Sequence, residues 1–357
     1  MNGPEKSDVK DTGKTALKLL TVSLSAMFSL ALILSLIKEN SLDEVDQISQ
    51  FDGPLLTLYM LLSSLALGLR ALRYRTILQC SQSKLLGSQS KLLGSRPRLL
   101  ATNAEKIPNF TVILLITAIR NALVDALPAR AGELSFIGLL HREGVTLGRS
   151  SAAFGLTLIL DLYVLVAIAA FSLTIQTSPL FAFTLSLAIL LLGRLIMHIS
   201  CGIAIKGLWQ LRHKFRLRHF LLATISIKHQ LHFKSHTSNI LLLQTVLLRL
   251  GKYSALVALL YASCPAFAIA PPPLSQIPAA TMLFILAEGV ASLPASGFLG
   301  FGAYELSWHE TTRLTGVMQT DIGQIFLIHA ITQTWGYSLA LLAFTLLVLR
   351  KKKQKTR

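Results

Sequence analysis

Leu127-Pro128-Ala129-Arg130-Ala131-Gly132-Glu133 interrupts an apolar run that has already turned polar at Arg120, Asn121 and Asp125. A second stretch repeats its outline near the C-terminus: Leu293-Pro294-Ala295-Ser296-Gly297-Phe298-Leu299-Gly300-Phe301-Gly302-Ala303-Tyr304-Glu305. Each opens on Leu-Pro-Ala, passes through glycine and closes on a glutamate. Proline removes a backbone donor and glycine relaxes the helix, so each stretch is expected to stop one helix and start another. Within a bilayer such irregular backbone persists only where protein buries it or where it lines a wet cavity. A pair of interrupted segments in corresponding halves is the sequence signature of a transport site.

The surrounding chain supports a membrane setting. Of its 357 residues 52% are hydrophobic and 14% charged, against roughly 25% charged in soluble domains. Apolar runs of about 20 residues, the length of a spanning helix, recur along it. The expected full spans are 16–37, 54–72, 151–173, 179–199, 239–263 and 322–349. Residues 108–150 and 279–321 are expected to form hairpins around the two broken stretches. The fold class is therefore all-α and polytopic, with about six spans, two re-entrant hairpins and two inverted repeats, 16–175 and 176–349. Residues 1–15 and 350–357 are polar and basic tails. The lysines before the first apolar run resemble a signal peptide, but that run is long for a signal core and is read as a retained helix.

Charge fixes the orientation. The net charge of +17 is carried between apolar runs rather than on a soluble face, so it speaks for topology and anionic lipid rather than nucleic acid. With both termini, 70–107, 138–150 and 194–238 in the cytoplasm, those segments hold 28 of the 34 Lys and Arg residues. The expected location is the cytoplasmic membrane. The first hairpin would then enter from the cytoplasm and the second from the opposite face. Cys80, Cys201 and Cys264 form neither a disulfide framework nor a CxxC site. No cofactor is expected. His229, His232 and His236 share a helical face but lack companion ligands for zinc, so no metal site is expected either. The duplicated heptapeptide at 81–87 and 88–94 (SQSKLLG) reads as a recent duplication in a tolerant linker.

At the broken stretches the chain resembles the lysylphosphatidylglycerol synthase transmembrane (flippase-like) family. The residues that carry the likeness are Leu127-Pro128, Arg130, Gly132-Glu133, Leu139-Leu140 with Gly144, and Leu293-Pro294 through Gly300 and Gly302 to Glu305. The chain departs from the family in having Thr157 and Leu158 where a Glu-Arg pair precedes the aspartate, here Asp161. The last span lacks the family's arginine and carries His329 nearby. The chain closes at Arg357 directly after the last span, so the soluble lysyl-transferring domain is expected to be absent and aminoacyl transfer is not implied. The resemblance implies lipid translocation rather than an enzyme, with an anionic phospholipid or polyprenyl-phosphate-type lipid as cargo. The alternatives are an intramembrane enzyme acting on a lipid phosphate or glycolipid, and a non-catalytic partner of a lipid-biosynthesis enzyme.

The expected headgroup site comprises Pro128, Arg130, Gly132, Glu133, Pro294, Gly300, Gly302 and Glu305. A guanidinium and freed backbone amides at a hairpin tip suit a phosphate; a self-neutralising Arg130–Glu133 pair competes with that reading. Asp125, Asp161, Glu288 and His329 are expected either to couple transport to protons or to form structural ion pairs. For Asp161, which an ionised state at membrane depth obliges to find a partner, Arg120, Arg130, Arg194 and Arg249 are all candidates. Asp161 follows Pro128, and His329 follows Pro294, by nearly equal intervals, which suggests equivalent places in the two halves.

Overall fold

A computed structural model describes residues 52–80, 107–127, 132–175, 177–215, 224–225, 235–263, 277–291, 303–315 and 322–355. Every named element among them is a helix: α1 (Gly53–Cys80), α2 (Phe110–Ala126), α3 (Gly132–Arg142), α4 (Leu147–Thr174), α5 (Pro179–Phe215), α6 (Ser235–Ser263), α7 (Ile277–Ala291), α8 (Ala303–Thr315) and α9 (Ile322–Lys355). Four stretches, Gly53–Cys80, Leu147–Thr174, His236–Ser263 and Gln324–Arg350, are long and apolar enough to cross a membrane. Large side chains such as Leu61, Leu162, Leu191 and Leu341 are exposed. In water such surfaces would aggregate; in a bilayer they face acyl chains. The protein is an all-α, multi-pass membrane protein. The expected first span, 16–37, and the duplication at 81–94 lie outside the described residues.

Local chemistry sets the helix ends. Asp52 caps α1, its carboxylate accepting the Leu55 amide at 3.2 Å, which satisfies one of the donors a helix N-terminus leaves open. Leu127 is extended (φ −102°, ψ 135°), as a residue before proline must be, and α2 stops there. Gly144 ends α3 with φ +90°. The Gly144 amide donates to the His141 carbonyl at 3.0 Å and the Val145 amide to the Leu140 carbonyl at 3.1 Å. This is the glycine-closed pattern in which the following apolar residue folds back onto the last turn. Val145 and Leu140 are accordingly both buried in one cluster.

Among the described residues, side chains pack in two large cores and a small third cluster, Ala118 and Ile119 of α2 with Ala343 of α9. The first joins the C-terminal half of α1 (Tyr74, Ile77, Leu78), the start of α2 (Ile113, Ile116), Phe136 and Leu140 of α3, and Ala153 and Leu156 of α4. The second joins Tyr59 near the start of α1, Leu259 and Leu260 near the end of α6, Phe284 of α7, Trp308 of α8, and Ile325 and Ile328 at the start of α9. The α2–α3 hairpin thus belongs to one end of the bundle and the α7–α8 hairpin to the other. Contacts follow the same division. α1 lies against α6, the α2 limb packs on α9, and the α7 limb packs on α4. Two polar contacts mark the ends: the Asp52 amide donates to the Ala262 carbonyl at 3.2 Å, and Arg350 lies 3.4 Å from Glu143.

The helices outrun the spans expected from hydropathy. The second expected span stops at Leu72, yet α1 continues to Cys80. Arg73 is therefore not an interfacial loop residue but is fully buried inside the bundle. The expected span ends just before Arg73, whereas the helix continues because a partner neutralises that charge. α5 likewise continues past residue 199 to Phe215.

Candidate functional site

A cavity of about 350 Å³ lies between the two cores. Among the described residues, four cationic side chains line it: Arg70 of α1, Arg120 of α2, and Arg249 and Lys252 of α6. Three carboxylates, Asp125, Glu133 and Asp161, and the imidazole of His329 share it. Tyr59, Phe284, Tyr304 and Trp335 provide aromatic wall. Charges at this depth persist only when paired or wetted, and they concentrate where a protein handles polar cargo.

Asp161 is the hub of the cationic side. Arg73 grips it with both terminal nitrogens, Nη1 to Oδ1 at 2.7 Å and Nη2 to Oδ2 at 3.0 Å. Arg73 Nη1 also donates to the Thr245 hydroxyl at 3.2 Å. Arg249 Nε reaches Oδ1 at 3.4 Å. Three helices, α1, α4 and α6, are joined by this one carboxylate. Of the four arginines considered from sequence, Arg249 is a partner of Asp161; Arg120 pairs elsewhere, and Arg130 and the Arg194 side chain lie outside the described residues. The bidentate partner, Arg73, was absent from that set.

Glu133 sits in the first turn of α3, where a carboxylate complements the helix dipole. It pairs with Arg120 at 3.8 Å. Arg120 also lies 5.9 Å from the centre of the Phe154 ring and donates to Asn121 at 3.3 Å. Arg70 donates to the same amide oxygen at 2.7 Å, so Asn121 bridges two guanidinium groups. Gly132 is buried against α2, and a Cβ there would collide with the backbone of Leu123 and Val124. The glycine is required because the two limbs of the hairpin touch backbone to backbone. Asp125 faces the cavity with Lys252, His329, Arg70 and Arg120 as its electrostatic neighbours.

On the other side Glu305 occupies the first turn of α8 and is 1% exposed. Its Oε1 lies 2.5 Å from His329 Nδ1, and the amide nitrogen of Gln333 lies 3.0 Å from His329 Nε2. The Tyr304 and His329 rings stand 4.7 Å apart. Asp161 and His329 do line a common cavity, but with different partners: two arginines for one, a glutamate and an amide for the other.

Pro128, Arg130, Pro294, Gly300, Gly302 and the Glu288 side chain lie outside the described residues, as do His229 and His232. Arg70, Arg73, Asn121, Tyr304 and Gln333 were not among the site residues expected from sequence. The signal available for the first two was that they continue an uninterrupted helical run.

No curated protein matches the chain at a significant level. The model of one protein family, the lysylphosphatidylglycerol synthase TM region, matches residues 17–340. With all but the two ends of the sequence so matched, the chain belongs to the lysylphosphatidylglycerol synthase TM region family.

Proposed function

We propose that the protein moves an anionic lipid, a phospholipid or a polyprenyl-phosphate-type lipid, between the leaflets of the cytoplasmic membrane, the headgroup passing through the central cavity. The observation that carries this reading is the cavity itself: among the described residues it sets four permanent cations against three carboxylates, one of them the first-turn Glu133 of α3, with the first-turn Glu305 of α8 held on His329 at its wall. Its size falls within the range of roughly 300–1,000 Å³ typical of small-ligand sites. Arginine suits phosphate because its planar donors match the oxygens in pairs. Arg120 is well placed for this task, since it is held to Glu133 only at 3.8 Å. A headgroup phosphate exchanges with that carboxylate as it enters, while acyl chains stay among the exposed leucines of the helix exteriors. Arg130, Pro128, Gly300, Gly302 and Pro294 belong to the same hairpin tips by sequence and would complete the headgroup path.

The contact pattern supports a two-fold inverted repeat of halves 16–175 and 176–349. Exchanging α1 with α6, α2 with α7, α3 with α8 and α4 with α9 maps the α2–α9 contact onto α7–α4. It also maps the α1–α6 contact onto itself. In that arrangement α2–α3 and α7–α8 are re-entrant hairpins from opposite faces, six helices span fully, and both termini are cytoplasmic, in keeping with the basic end of α9.

The test is leaflet-selective quenching of a fluorescent phosphatidylglycerol in liposomes holding the native protein, Arg120→Ala or Glu133→Gln. Native protein is expected to move lipid well above empty liposomes, and each variant to fall at least about tenfold, the equivalent of one charge-assisted hydrogen bond. A native rate equal to that of empty liposomes across anionic lipids would reject translocation. An altered lipid product, seen by mass spectrometry, would replace it with intramembrane catalysis.

A further inference from the structure

The acidic groups in and beside the cavity are not equivalent. Asp161 is tied to Arg73 and Arg249, and Glu133 to Arg120, all permanent cations. Glu305 is paired instead with a histidine, 6% exposed, that itself lines the cavity. We propose that Glu305 and His329 form a proton-binding dyad that sets the charge of the cavity, so that proton uptake accompanies entry of an anionic headgroup. The proposal rests on the translocation reading for the identity of the cargo, and on the dyad's own geometry for the proton.

Gln333 makes the dyad able to hold either one proton or two. With the amide –NH₂ toward His329 Nε2, at 3.0 Å, the ring nitrogen must offer a lone pair. The proton then sits on Nδ1 and is donated to Glu305, and the pair carries a net charge of −1. Rotating the Gln333 amide by a half turn presents its oxygen instead, which accepts an Nε2–H. The imidazolium then faces a carboxylate on one side and a carbonyl on the other, and the pair is neutral. The new N–H bond takes its proton from hydronium at the water-facing side and returns it to water on release. No atom other than the amide needs to move far, because Tyr304 stacks near the ring and Gln333 stands one turn along α9.

The groups around the dyad make the added charge count. α8 and α9 pack on α7, α2 and α6. From α2 come Asp125 and Arg120, and from α6 Lys252 and Arg249, all lining the same cavity. α1 adds Arg70 and Tyr59, the latter bonded to Thr332 of α9. The one titratable residue in the α7 sequence, Glu288, has its side chain outside the described set. Asp125 counts both Lys252 and His329 among its electrostatic neighbours. Adding a proton to the dyad leaves the permanent cations in larger excess and favours an anionic occupant; losing it favours release.

Proteoliposomes at equal inner and outer pH decide the matter. For native protein the rate of fluorescent phosphatidylglycerol movement at about pH 5.5 is expected to exceed that at about pH 8 by about tenfold, one charge acting across a cavity of this size. In His329→Gln and His329→Arg, whatever their absolute rates, that ratio falls to about one. A native ratio near one, or a native-like ratio in both variants, overturns the dyad. If native protein moves no lipid at any pH, the translocation reading fails and a second readout still judges the dyad. The ¹⁵N-histidine resonance that His329→Gln removes is followed in nanodiscs. It is expected to shift towards imidazolium when phosphatidylglycerol replaces phosphatidylcholine. A resonance that does not shift overturns the proposal.

Discussion

Replacing Asp161 by asparagine removes the one negative charge between two buried guanidinium groups while keeping the side-chain shape. Arg73 loses its ionic partner at 2.7 and 3.0 Å, and Arg249 its partner at 3.4 Å. Arg73 is fully buried and retains only the neutral Thr245 hydroxyl at 3.2 Å. Removing one member of a buried ion pair costs about 3–5 kcal/mol. Asparagine can still accept one bond, which places this variant near the lower end. A chain of 357 residues loses about 1.3 °C of melting temperature per kcal/mol, so Asp161→Asn is expected to melt about 4 °C below native protein. Thermal unfolding in detergent or nanodiscs, followed by tryptophan fluorescence, measures it. The triple variant Arg73→Met, Asp161→Leu, Arg249→Met removes all three charges together, and apolar replacement of a buried cluster is often near neutral. It should recover most of the loss while abolishing lipid movement. Asp161→Asn melting within about 1 °C of native, or a triple variant no better than the single one, would refute the claim that this carboxylate ties α1, α4 and α6 together.

Other expectations follow from the same geometry. Gly132→Ala sets a methyl against the α2 backbone at Leu123 and should cost about 1–3 kcal/mol, read as a lower melting temperature and poorer yield. Gly193→Ala meets the Tyr163 ring first, a side chain that can swing aside, so its loss of melting temperature should be smaller than that of Gly132→Ala. Single cysteines at positions 142 and 310 should label from opposite faces of the membrane with an impermeant maleimide. Labelling of both from one side would remove the inverted-repeat arrangement.

Much of the architecture could be read before any coordinates. Pro128 forces Leu127 to be extended, so the end of α2 follows from local sterics alone. Glu133 and Glu305 fall in first turns, where helix N-termini favour carboxylates. The charge network was less legible. The expected span stops between Arg70 and Arg73, yet both stay inside α1 because their partners arrive from 51 and 88 residues away. Such pairing depends on which helices become neighbours, which periodicity does not encode. Asp161 was recognised as needing a cation, and Arg249 was among those considered; the bidentate geometry that selects Arg73 exists only after α1 packs beside α4. The Glu305–His329 pair was missed for the same reason. His329 was matched by spacing with Asp161, whereas its partner comes from α8.

The most direct measurement of the central claim asks whether lipid passes through the cavity. Gly336 of α9 lines it, and a Cβ built there meets no atom within 4 Å. A side chain at this position therefore starts in open space beside the cavity. Translocation of fluorescent phosphatidylglycerol should fall stepwise through Gly336→Ala, Gly336→Leu and Gly336→Trp while melting temperatures stay near native. A tryptophan variant that moves lipid at the native rate would contradict the account.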